Sequence, residues 1–517
     1  MRMKKHLFAT YLLTVLCFLA CQNKEKTTSD KATKEFIVLF TNDIHSQILP
    51  LEDNNMGSAL RRKVVIDSIR AVHDNVLLVD AGDAVQGTVF FNIFKGEVEM
   101  MIMNELGYNV RTLGNHEFDN QMDGLKQMLL WNNRTTTLAT NYSFTDSLLG
   151  SLVQKSTIIP VGDIKVGFVS ANINPKGIID PSYIVGMSYT DPLEITDNEA
   201  FRLKQQGVDI VIVLSHLGLT DEDNRGYTVD TELIKASQYI DILIGGHTHT
   251  YLYKPLYINN LNGDSIAILQ AGKHGQYLGS AKITLSANSS PNIEYSLIPL
   301  TPQLDSKTDS AFANKINHYT QEANKKMDKH IGTTLYPMTN AKPESLLSNW
   351  VCDALMIFAK QYMNTKADFA IYNTYGIRQH LPQGDIKLKH IYQSFPFDNY
   401  LSIIKLKGTD VIKLFQTIAL RGGEAVSNEV RLTIADGKAT NITIRGKAID
   451  PTKTYTIAMP DYVANGGDQM EACLNAISRT DYPETIREMI IQYIEQLTSQ
   501  GKTITSSIDG RITISNF

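Results

Sequence analysis

The chain has 517 residues, of which 43% are hydrophobic, and this is enough material for two or three domains with buried cores. Its 49 Lys and Arg residues against 54 Asp and Glu residues give a net charge of −5, so no basic surplus points to a nucleic acid polymer as a partner. With only four cysteines, the chain excludes a dense disulfide framework and a cysteine-rich zinc site.

The N-terminal segment predicts an export signal. Basic residues precede an apolar run that ends at Ala20, and this run is too short for a comfortable membrane span. Ala20 before Cys21 resembles a bacterial lipoprotein cleavage site, with Phe18 where leucine is usual. We expect a signal peptide over 1–20, a lipidated tether over 21–34, and an exported lipoprotein anchored through Cys21 at the periplasmic or outer surface of the envelope. The alternative is an ordinary secretory signal with an incidental cysteine.

Five strand-like apolar runs follow, and each ends in polar residues that can bind a metal ion. The runs are 36–40, 75–79, 109–113, 208–214 and 240–244. The polar residues that follow them are, in the same order, Asp43 with His45, Asp83, the segment 114–119, His216, and His247 with His249. Because α/β folds place their chemistry where strands end, we expect these side chains to meet. Asp43 and His45 are two residues apart, which puts both side chains on one side of an extended segment.

These residues predict a site for two divalent ions. Two hard or borderline cations that share one carboxylate need mixed nitrogen and oxygen ligands without a thiolate, and the five blocks supply this set. Asp83, presented after Gly82 at the end of its strand, is the natural bridge. A single Gly-Asp or His-x-His is weak evidence, because a turn or a surface pair explains it equally well. Five such blocks in one chain favour the metal site.

The later part of the chain predicts a second domain. The polar stretch 308–330 has helical spacing and predicts an exposed connecting helix. A further helix is expected to begin near Ala341, with Pro343 in its first turn. The expected boundaries are 35–300 for the first domain, 301–335 for the linker and 336–517 for the second domain. Cys352 and Cys473 are expected to be buried thiols, since both have apolar, helix-like surroundings.

Taken together, the polar blocks resemble the calcineurin-like metallophosphoesterases. The matching segments are Asp-x-His (Asp43, His45), Gly-Asp (Gly82, Asp83), Gly-Asn-His-Glu (114–117), His216 and Gly-His-x-His (246–249). The longer form Gly-Asn-His-Glu-Phe-Asp is similar to the 5′-nucleotidase branch, which includes ecto-5′-nucleotidases and periplasmic UDP-sugar hydrolases. The resemblance covers nearly all of 35–517. It implies a four-layer αββα phosphoesterase domain, joined by a helix to a smaller α/β (α+β) 5′-nucleotidase C-terminal domain that binds substrate.

The resemblance also implies how the two ions are held. One set of ligands is Asp43, His45, Asp83 and His249, and the other is Asp83, Asn115, His216 and His247. The expected metals are Zn, Mn or Co. Several relatives carry Gln or Asn where this chain has His249, so the metal preference is expected to differ.

His116 is not a ligand in this scheme. It is expected to stabilise the transition state or to protonate the leaving group, while Asp119 fixes its tautomer and favours its cationic form. Glu117 is expected to be a structural partner of the loop, with no catalytic role.

Three loops of the second half carry the resemblance further. The substrate-binding residues that it implies are Asn373, Gly376, Arg378, Phe397, Tyr462 and Asp468. Phe397 and Tyr462 are expected to stack on both faces of a base, Arg378 and Asn373 to contact phosphate or ribose, and Asp468 to bind the ribose hydroxyls. The alternative for the two aromatic residues is a place in the core, which their positions beside Pro and Gly-Gly disfavour.

The sequence therefore predicts an exported di-metal phosphohydrolase that acts on nucleotides. Alternatives of the same class are a 2′,3′-cyclic-nucleotide phosphodiesterase with 3′-nucleotidase activity, and a UDP-sugar hydrolase. An alternative of another class is a surface nucleotide-binding lipoprotein that has lost catalysis.

Overall fold

The computed structural model describes residues 33–221, 226–286 and 290–515. The predicted signal peptide and nearly all of the predicted tether, including Cys21, lie outside these residues. Lys34, the last residue of that tether, already begins the first strand. Within the described ranges, no helix has both the length and the apolar character that a membrane crossing requires.

The first half of the chain alternates strands with helices. Its strands are β1 (Lys34–Thr41), β2 (Val76–Asp80), β3 (Val110–Thr112), β4 (Thr136–Leu138), β5 (Tyr142–Phe144), β6 (Val153–Gln154), β7 (Ser156–Val161), β8 (Ile164–Asn172), β9 (Met187–Tyr189), β10 (Ile210–His216), β11 (Ile242–Ile244), β12 (Leu256–Asn259), β13 (Ser265–Leu269), β14 (Tyr277–Leu285) and β15 (Asn292–Pro299). Its helices are α1 (Ala59–Arg70), α2 (Val89–Phe94), α3 (Glu97–Leu106), α4 (Gln121–Trp131), α5 (Ser147–Leu152), α6 (Pro192–Gln205) and α7 (Asp230–Ala236).

Two sheets stack face to face in this half. One has the order β15-β14-β1-β2-β3-β4-β6 and the other has the order β12-β13-β11-β10-β8-β7. Along β1, Val38 and Phe40 face the second sheet, where they meet Phe168, while Ile37 and Leu39 face the helices α1 to α4. The outer face of the second sheet is covered by α6 and α7. Because β1 is buried on both faces, it is a continuous apolar run, and the expected four-layer αββα arrangement is confirmed.

The strands that precede the polar blocks are parallel neighbours. In the first sheet β1, β2 and β3 run parallel, and in the second sheet β8, β10 and β11 do so. Parallel strands end at the same edge of a sheet, so the segments that follow them are brought together.

The second half has its own strands and helices. Its strands are β16 (His330–Thr334), β17 (Phe369–Tyr372), β18 (Gly384–Lys387), β19 (Tyr400–Lys407), β20 (Ala425–Val426), β21 (Val430–Ala435), β22 (Lys438–Ile444), β23 (Lys447–Ala448), β24 (Thr454–Pro460), β25 (Ser478–Thr485) and β26 (Ile512–Ser515). Its helices, preceded by the connecting helix α8 (Ser310–Met327), are α9 (Leu346–Met363), α10 (Leu388–Ser394), α11 (Gly408–Leu420), α12 (Asp461–Ala464) and α13 (Ile486–Ser499).

A mixed sheet of order β20-β17-β24-β19-β25 forms the centre of this half. Helices α9 and α13 pack on one face of it, and α11 with a smaller sheet, β23-β22-β21-β26, packs on the other. Cys352 and Cys473 are both free and buried in these two cores, which confirms the prediction for the two thiols.

Helix α8 differs from the predicted exposed connector. Its apolar face is buried. Phe312 and Ile316 belong to the core between the first sheet and helices α1 to α4, the helix-side core of the first half. Just before it, Asp305 pairs with the buried Arg61 at 2.6 Å. The sequence of the helix is mostly polar because most of its surface faces solvent, while the few apolar residues, such as those at positions 312 and 316, share one side. By its contacts α8 belongs to the first half, whereas β16 pairs with β18 in the second.

The start of α9 also differs from the prediction. The helix begins at Leu346, and the side chains of Ser345 and Ser348 cap its first turn reciprocally. Pro343 therefore precedes the cap instead of lying in the first turn. A hydroxyl that satisfies the free N–H groups decides where the helix starts.

Candidate metal centre

The seven predicted ligands come from different strand ends and meet at one edge of the two sheets. Asp43 and His45 follow β1, Asp83 follows β2, Asn115 follows β3, His216 ends β10, and His247 and His249 follow β11. Ligand atoms of Asp43, His45 and His249 lie within 4.8 Å of one another. Ligand atoms of Asp83, His216 and His247 form a second such group. Each group contains three of the four residues of one set that the resemblance implies, and a third group joins His45 and Asp83 with His116.

Short distances between nitrogen and oxygen atoms define the centre. The Nε2 atoms of His45 and His249 are 2.9 Å apart, and Nε2 of His45 is 4.0 Å from Oδ2 of Asp83. On the other side, Nδ1 of His247 is 3.1 Å from Oδ1 of Asn115. Oδ1 of Asn115 thus lies beside a ring nitrogen of the second group, as a shared ion requires.

The orientation of His216 tests whether these residues fit a metal ion. Its Nδ1 atom lies 2.7 Å from the carbonyl oxygen of Ala81, which can only accept, so Nδ1 carries the proton. The buried Nε2 atom makes no hydrogen bond of ordinary geometry, and Oδ2 of Asp83 lies 3.1 Å away. In its neutral form the ring therefore presents the lone pair of Nε2 to the centre while its other nitrogen is fixed, which is how proteins hold metal-binding histidines. The donor set contains only nitrogen and oxygen atoms, and it fits divalent metal ions.

The electrostatics of the cluster favour a bound cation. Burial raises the pKa of Asp43 to about 7, and the charge of Asp83 adds to this effect. Burial lowers the pKa of His216, but the carboxylates of Asp83 and Asp43 outweigh it and raise the pKa to about 10. Burial lowers the pKa of His45 well below its ordinary range. Protons on the histidines supply the positive charge that faces the buried carboxylates of Asp43 and Asp83, and a metal ion that displaces these protons would supply it instead.

Left-handed backbone is concentrated at the centre. Five of the seven predicted ligands have positive φ: Asp43 (51°), His45 (51°), Asp83 (54°), His247 (72°) and His249 (55°). The expectation that Asp43 and His45 share one side of an extended segment is therefore wrong. β1 ends at Thr41, and the turn that follows is held by bonds from the N–H groups of Asp43 and His45 to the carbonyls of Gly82 and Asp83. Such strained conformations occur where a functional site requires them.

Two glycines allow the strand ends to approach each other. Gly82 has φ of 93°, and a Cβ atom there would lie 2.7 Å from the backbone nitrogen of Gly114. A Cβ atom on Gly114 would lie 2.2 Å from Oδ1 of Asp83. A side chain at Gly82 would separate the two loops, and one at Gly114 would displace the carboxylate of Asp83.

Glu117 ties the same two loops together. Its carboxylate accepts hydrogen bonds from the N–H groups of Asp83 (3.1 Å), Ala84 (3.0 Å) and Gly114 (2.6 Å). Arg111 lies 3.2 Å from it, and both side chains are fully buried. This geometry agrees with the structural role predicted from the sequence.

His116 faces the centre from one side. Its Nδ1 atom lies 2.9 Å from Oδ2 of Asp119, and its Nε2 atom lies 4.0 Å from Oδ2 of Asp83. Burial lowers the pKa of His116, but the charges of Asp119 and Asp83 outweigh it, so the pKa is raised. The ring is therefore held in one orientation and its cationic form is favoured.

Two supporting residues were not predicted. Asn42 donates to Oδ2 of Asp43 (2.6 Å) and to the carbonyl of Gly272 (2.7 Å). Gln270 donates to the carbonyl of Gly246 (2.9 Å) and orders the loop that carries His247 and His249. Asn42 lies within the Asn-Asp-x-His segment and could have been suspected. Gln270 follows β13, and its sequence context gives no comparable signal.

The loops of the second half meet the metal centre across a cavity of about 240 Å³. Lining residues include Asp83, Asn115, His116, Asp119, His247 and His249 from the first half, and Asn373, Arg378, Phe397, Tyr462 and Asp468 from the second. The rings of His116 and Phe397 are 6.0 Å apart and nearly parallel, and the Arg378 guanidinium lies 5.1 Å from the Phe397 ring. Phe397 and Tyr462 are therefore cavity residues.

Asn373 and Asp468 are joined by a hydrogen bond of 2.8 Å between their side chains. Gly376, which was predicted to bind substrate, does not line this cavity. It packs beneath Asn373, because a Cβ atom there would lie 2.8 Å from Oδ1 of Asn373.

Comparisons with known proteins agree with this geometry. Residues 36–251 match the family model for calcineurin-like phosphoesterases, and residues 325–475 match the model for the 5′-nucleotidase C-terminal domain. The human 5′-nucleotidase is 25% identical over 93% of this chain and 91% of its own.

Two solved structures have the same fold. A 5′-nucleotidase precursor from Thermus thermophilus has a TM-score of 0.80 and 24% identity, with 94% of this chain and 100% of the other covered. A putative 5′-nucleotidase from Staphylococcus aureus has a TM-score of 0.75 and 20% identity, with 93% and 100% covered. On these matches the chain belongs to the calcineurin-like phosphoesterases that carry a 5′-nucleotidase C-terminal domain, and it is a metal-dependent phosphoester hydrolase.

Proposed function

We propose that this protein removes the phosphate of nucleotides, with nucleoside 5′-monophosphates as its main substrates. The observation that carries the proposal is the shared cavity, in which candidate metal ligands face the aromatic side chains of Phe397, on the loop before β19, and Tyr462, in α12. Curated relatives named 5′-nucleotidase, matched over most of their length, support the same substrate class. We also propose that the protein is exported and anchored through Cys21.

In this proposal each group has one task. When bound, the two divalent ions would polarise a water and neutralise charge on the phosphate. Arg378 would bind the phosphate, and the half-buried pair of His116 and Asp119 would hold a proton at Nε2 for the leaving oxygen, since Nδ1 is engaged by Asp119 at 2.9 Å. Phe397 and Tyr462 would stack on the base.

The first test is a turnover panel with protein reconstituted with Zn, Mn, Co or Mg. The substrates are AMP, 3′-AMP, 2′,3′-cyclic AMP, UDP-glucose and p-nitrophenyl phosphate. AMP is expected to have the highest kcat/KM. A preference for the 3′ or cyclic ester, or for UDP-glucose, would replace the proposal with the corresponding alternative. Tight AMP binding without turnover of any ester would indicate a protein that has lost catalysis.

The second test concerns the base. Phe397→Ala and Tyr462→Ala are each expected to raise KM for AMP by about 10-fold, because base stacking on an aromatic ring contributes about 1–3 kcal/mol. KM for p-nitrophenyl phosphate should change little, since it carries no base. Tyr253→Ala, at a tyrosine with 65% exposure that does not line the cavity, is the control. Equal effects on both substrates would show that the two aromatic residues serve the fold.

A further inference from the structure

A loop of the first half forms one wall of the proposed base site. This base-edge loop, residues 177–183, lies between β8 and β9. Ile178, Ile179, Asp180 and Tyr183 all line the same cavity as Phe397 and Tyr462. The loop is held against the second half by two hydrogen bonds, from the Tyr462 hydroxyl to the carbonyl of Gly177 (3.2 Å) and from Asn465 Nδ2 to Oδ2 of Asp180 (2.6 Å). It therefore passes the hydroxyl end of the Tyr462 ring, where the edge of a stacked base would lie.

Asp180 is the charged residue of this loop. It is 6% exposed, and its Oδ1 atom accepts hydrogen bonds from the backbone N–H (2.8 Å) and the hydroxyl (2.6 Å) of Ser182. Ser182 and Asn465 supply all the hydrogen-bond donors to Asp180 in the described part of the chain, and both residues are neutral. A carboxylate has about four acceptor positions, so at least one remains for a ligand.

The other carboxylates that line the cavity have basic partners. Asp119 lies beside His116, Asp83 beside His216, Asp468 beside Arg421, and Asp398 beside Arg487 and Lys95. The charge of Asp180 is not compensated in this way. Its effect extends to the buried Asp461, whose pKa is raised to about 7 by burial and, in addition, by the charge of Asp180. This end of the cavity thus attracts hydrogen-bond donors and repels acceptors.

We propose that Asp180 determines base specificity by accepting a hydrogen bond from the exocyclic amino group of a nucleobase. Adenine and cytosine carry an amino group where hypoxanthine and uracil carry a carbonyl oxygen. An amino group satisfies the carboxylate, whereas a carbonyl oxygen places lone pairs against a buried negative charge. The protein therefore prefers AMP to IMP and CMP to UMP. This inference depends on the proposed function, because it assumes that a base is stacked in the cavity.

Asp180 also has structural contacts, since it caps the short turn Pro181–Ile184 and binds Asn465. The variant Asp180→Asn separates the two roles because it keeps the size of the side chain and one acceptor oxygen while offering an amide N–H to the cavity. The measurement is kcat/KM for AMP, IMP, CMP, UMP and p-nitrophenyl phosphate. In the wild-type protein we expect AMP and CMP to exceed IMP and UMP by about 10-fold or more. In Asp180→Asn both ratios should fall to about one or invert, with little change for p-nitrophenyl phosphate.

Asp398→Asn is the matched control. It makes the same chemical change in the same cavity, but at a carboxylate that lies 3.2 Å from Lys95 and also pairs with Arg487. This variant should keep the wild-type ratio of AMP to IMP whatever its absolute rate. Ser182→Ala, which removes one donor to Asp180 and leaves the carboxylate in place, should keep the ratio as well.

A measurement on the wild-type protein covers the case in which Asp180→Asn does not fold. Adenosine should inhibit hydrolysis of p-nitrophenyl phosphate at a concentration about 10-fold lower than inosine does. Equal inhibition, equal turnover of AMP and IMP by the wild type, or equal losses on both nucleotides in Asp180→Asn would overturn the role of Asp180 and leave the nucleotidase activity intact. Hydrolysis of p-nitrophenyl phosphate without hydrolysis of any nucleotide would overturn the proposed function itself.

Discussion

At the scale of single residues, the centre contains side chains whose substitution should abolish metal binding and others whose substitution should lower only kcat. Asp83 belongs to the second ligand group, and its Oδ2 atom lies 4.0 Å from Nε2 of His45 in the first group. It also accepts a hydrogen bond from the backbone N–H of His116 (2.9 Å). His116 directs Nδ1 to Asp119, which leaves only Nε2 for the cavity. The position of His116 alone does not distinguish a metal ligand from a proton donor, because ligand atoms of His45, Asp83 and His116 also lie within 4.8 Å of one another.

Asp83→Ala should therefore abolish both hydrolysis and the stoichiometric binding of two metal ions. His116→Ala should retain two ions and lower kcat for p-nitrophenyl phosphate by about 10²–10⁴-fold, the usual contribution of a positioned acid. Elemental analysis of the two purified variants, alongside the wild type, is the measurement. Loss of an ion from His116→Ala would show that His116 is a ligand.

At the scale of elements, α3 places one ionisable side chain, Glu99, in the helix-side core. Glu99 is 4% exposed on this helix, between Val98 and Met100, which are fully buried. Burial raises the pKa of Glu99 to about 7, although the hydroxyl of Ser46 opposes the shift. The carboxyl group is thus protonated in the folded protein over a pH range in which it ionises in the unfolded chain.

The free energy of unfolding should therefore fall as pH rises from 4.5, the ordinary pKa of the group, to about 7, its value in the folded protein. Below this window both states are protonated, and above it both are ionised, so the penalty is constant there. Glu99→Gln removes the titration, and its stability relative to wild type should rise across the window by about 3 kcal/mol. Urea unfolding of both metal-free proteins at pH 4.5 and pH 7.5 is the measurement. A difference between the two proteins that does not depend on pH would contradict this account.

At the scale of the whole molecule, neither half contains both the metal centre and the aromatic pair. The halves are held together beside the cavity by contacts such as Asn92 Nδ2 to the carbonyl of Pro396 (2.9 Å) and Lys95 to Asp398 (3.2 Å). Relative movement of two such halves can control substrate entry and product release. The boundary between them follows α8, since Phe312 and Ile316 pack into the first half.

A fragment of residues 33–327 should bind two metal ions and hydrolyse p-nitrophenyl phosphate, and it should lose its preference for AMP because the aromatic pair is absent. A fragment that ends at residue 300 should be less stable, since it leaves uncovered the core surface against which Phe312 and Ile316 pack. The measurement is kcat/KM for AMP and for p-nitrophenyl phosphate in both fragments and in the full chain. A 33–327 fragment with the full-length efficiency on AMP would show that the second half does not recognise the nucleotide.

The sequence by itself determined the fold class and the chemical types of the candidate ligands. These features are local: each ligand lies at the end of the strand that presents it or within a few residues after it, and His116 and Asp119 are three residues apart. Glu117 could be assigned a structural role for the same reason, since it bonds within its own loop as well as to Asp83.

Only the tertiary structure decided which of these segments meet and in what backbone conformation. The left-handed turn at Asp43 and His45 depends on hydrogen bonds that their N–H groups donate to carbonyls of the segment after β2. The sequence alone does not show these bonds, and the extended geometry assumed from it is wrong. The contact of Asn465 with Asp180 joins residues 285 positions apart. The docking of α8 and the role of Gln270 likewise depend on partners distant in sequence. Periodicity and spacing report what a segment can do by itself, whereas the free energy that fixes these contacts comes from surfaces buried between segments.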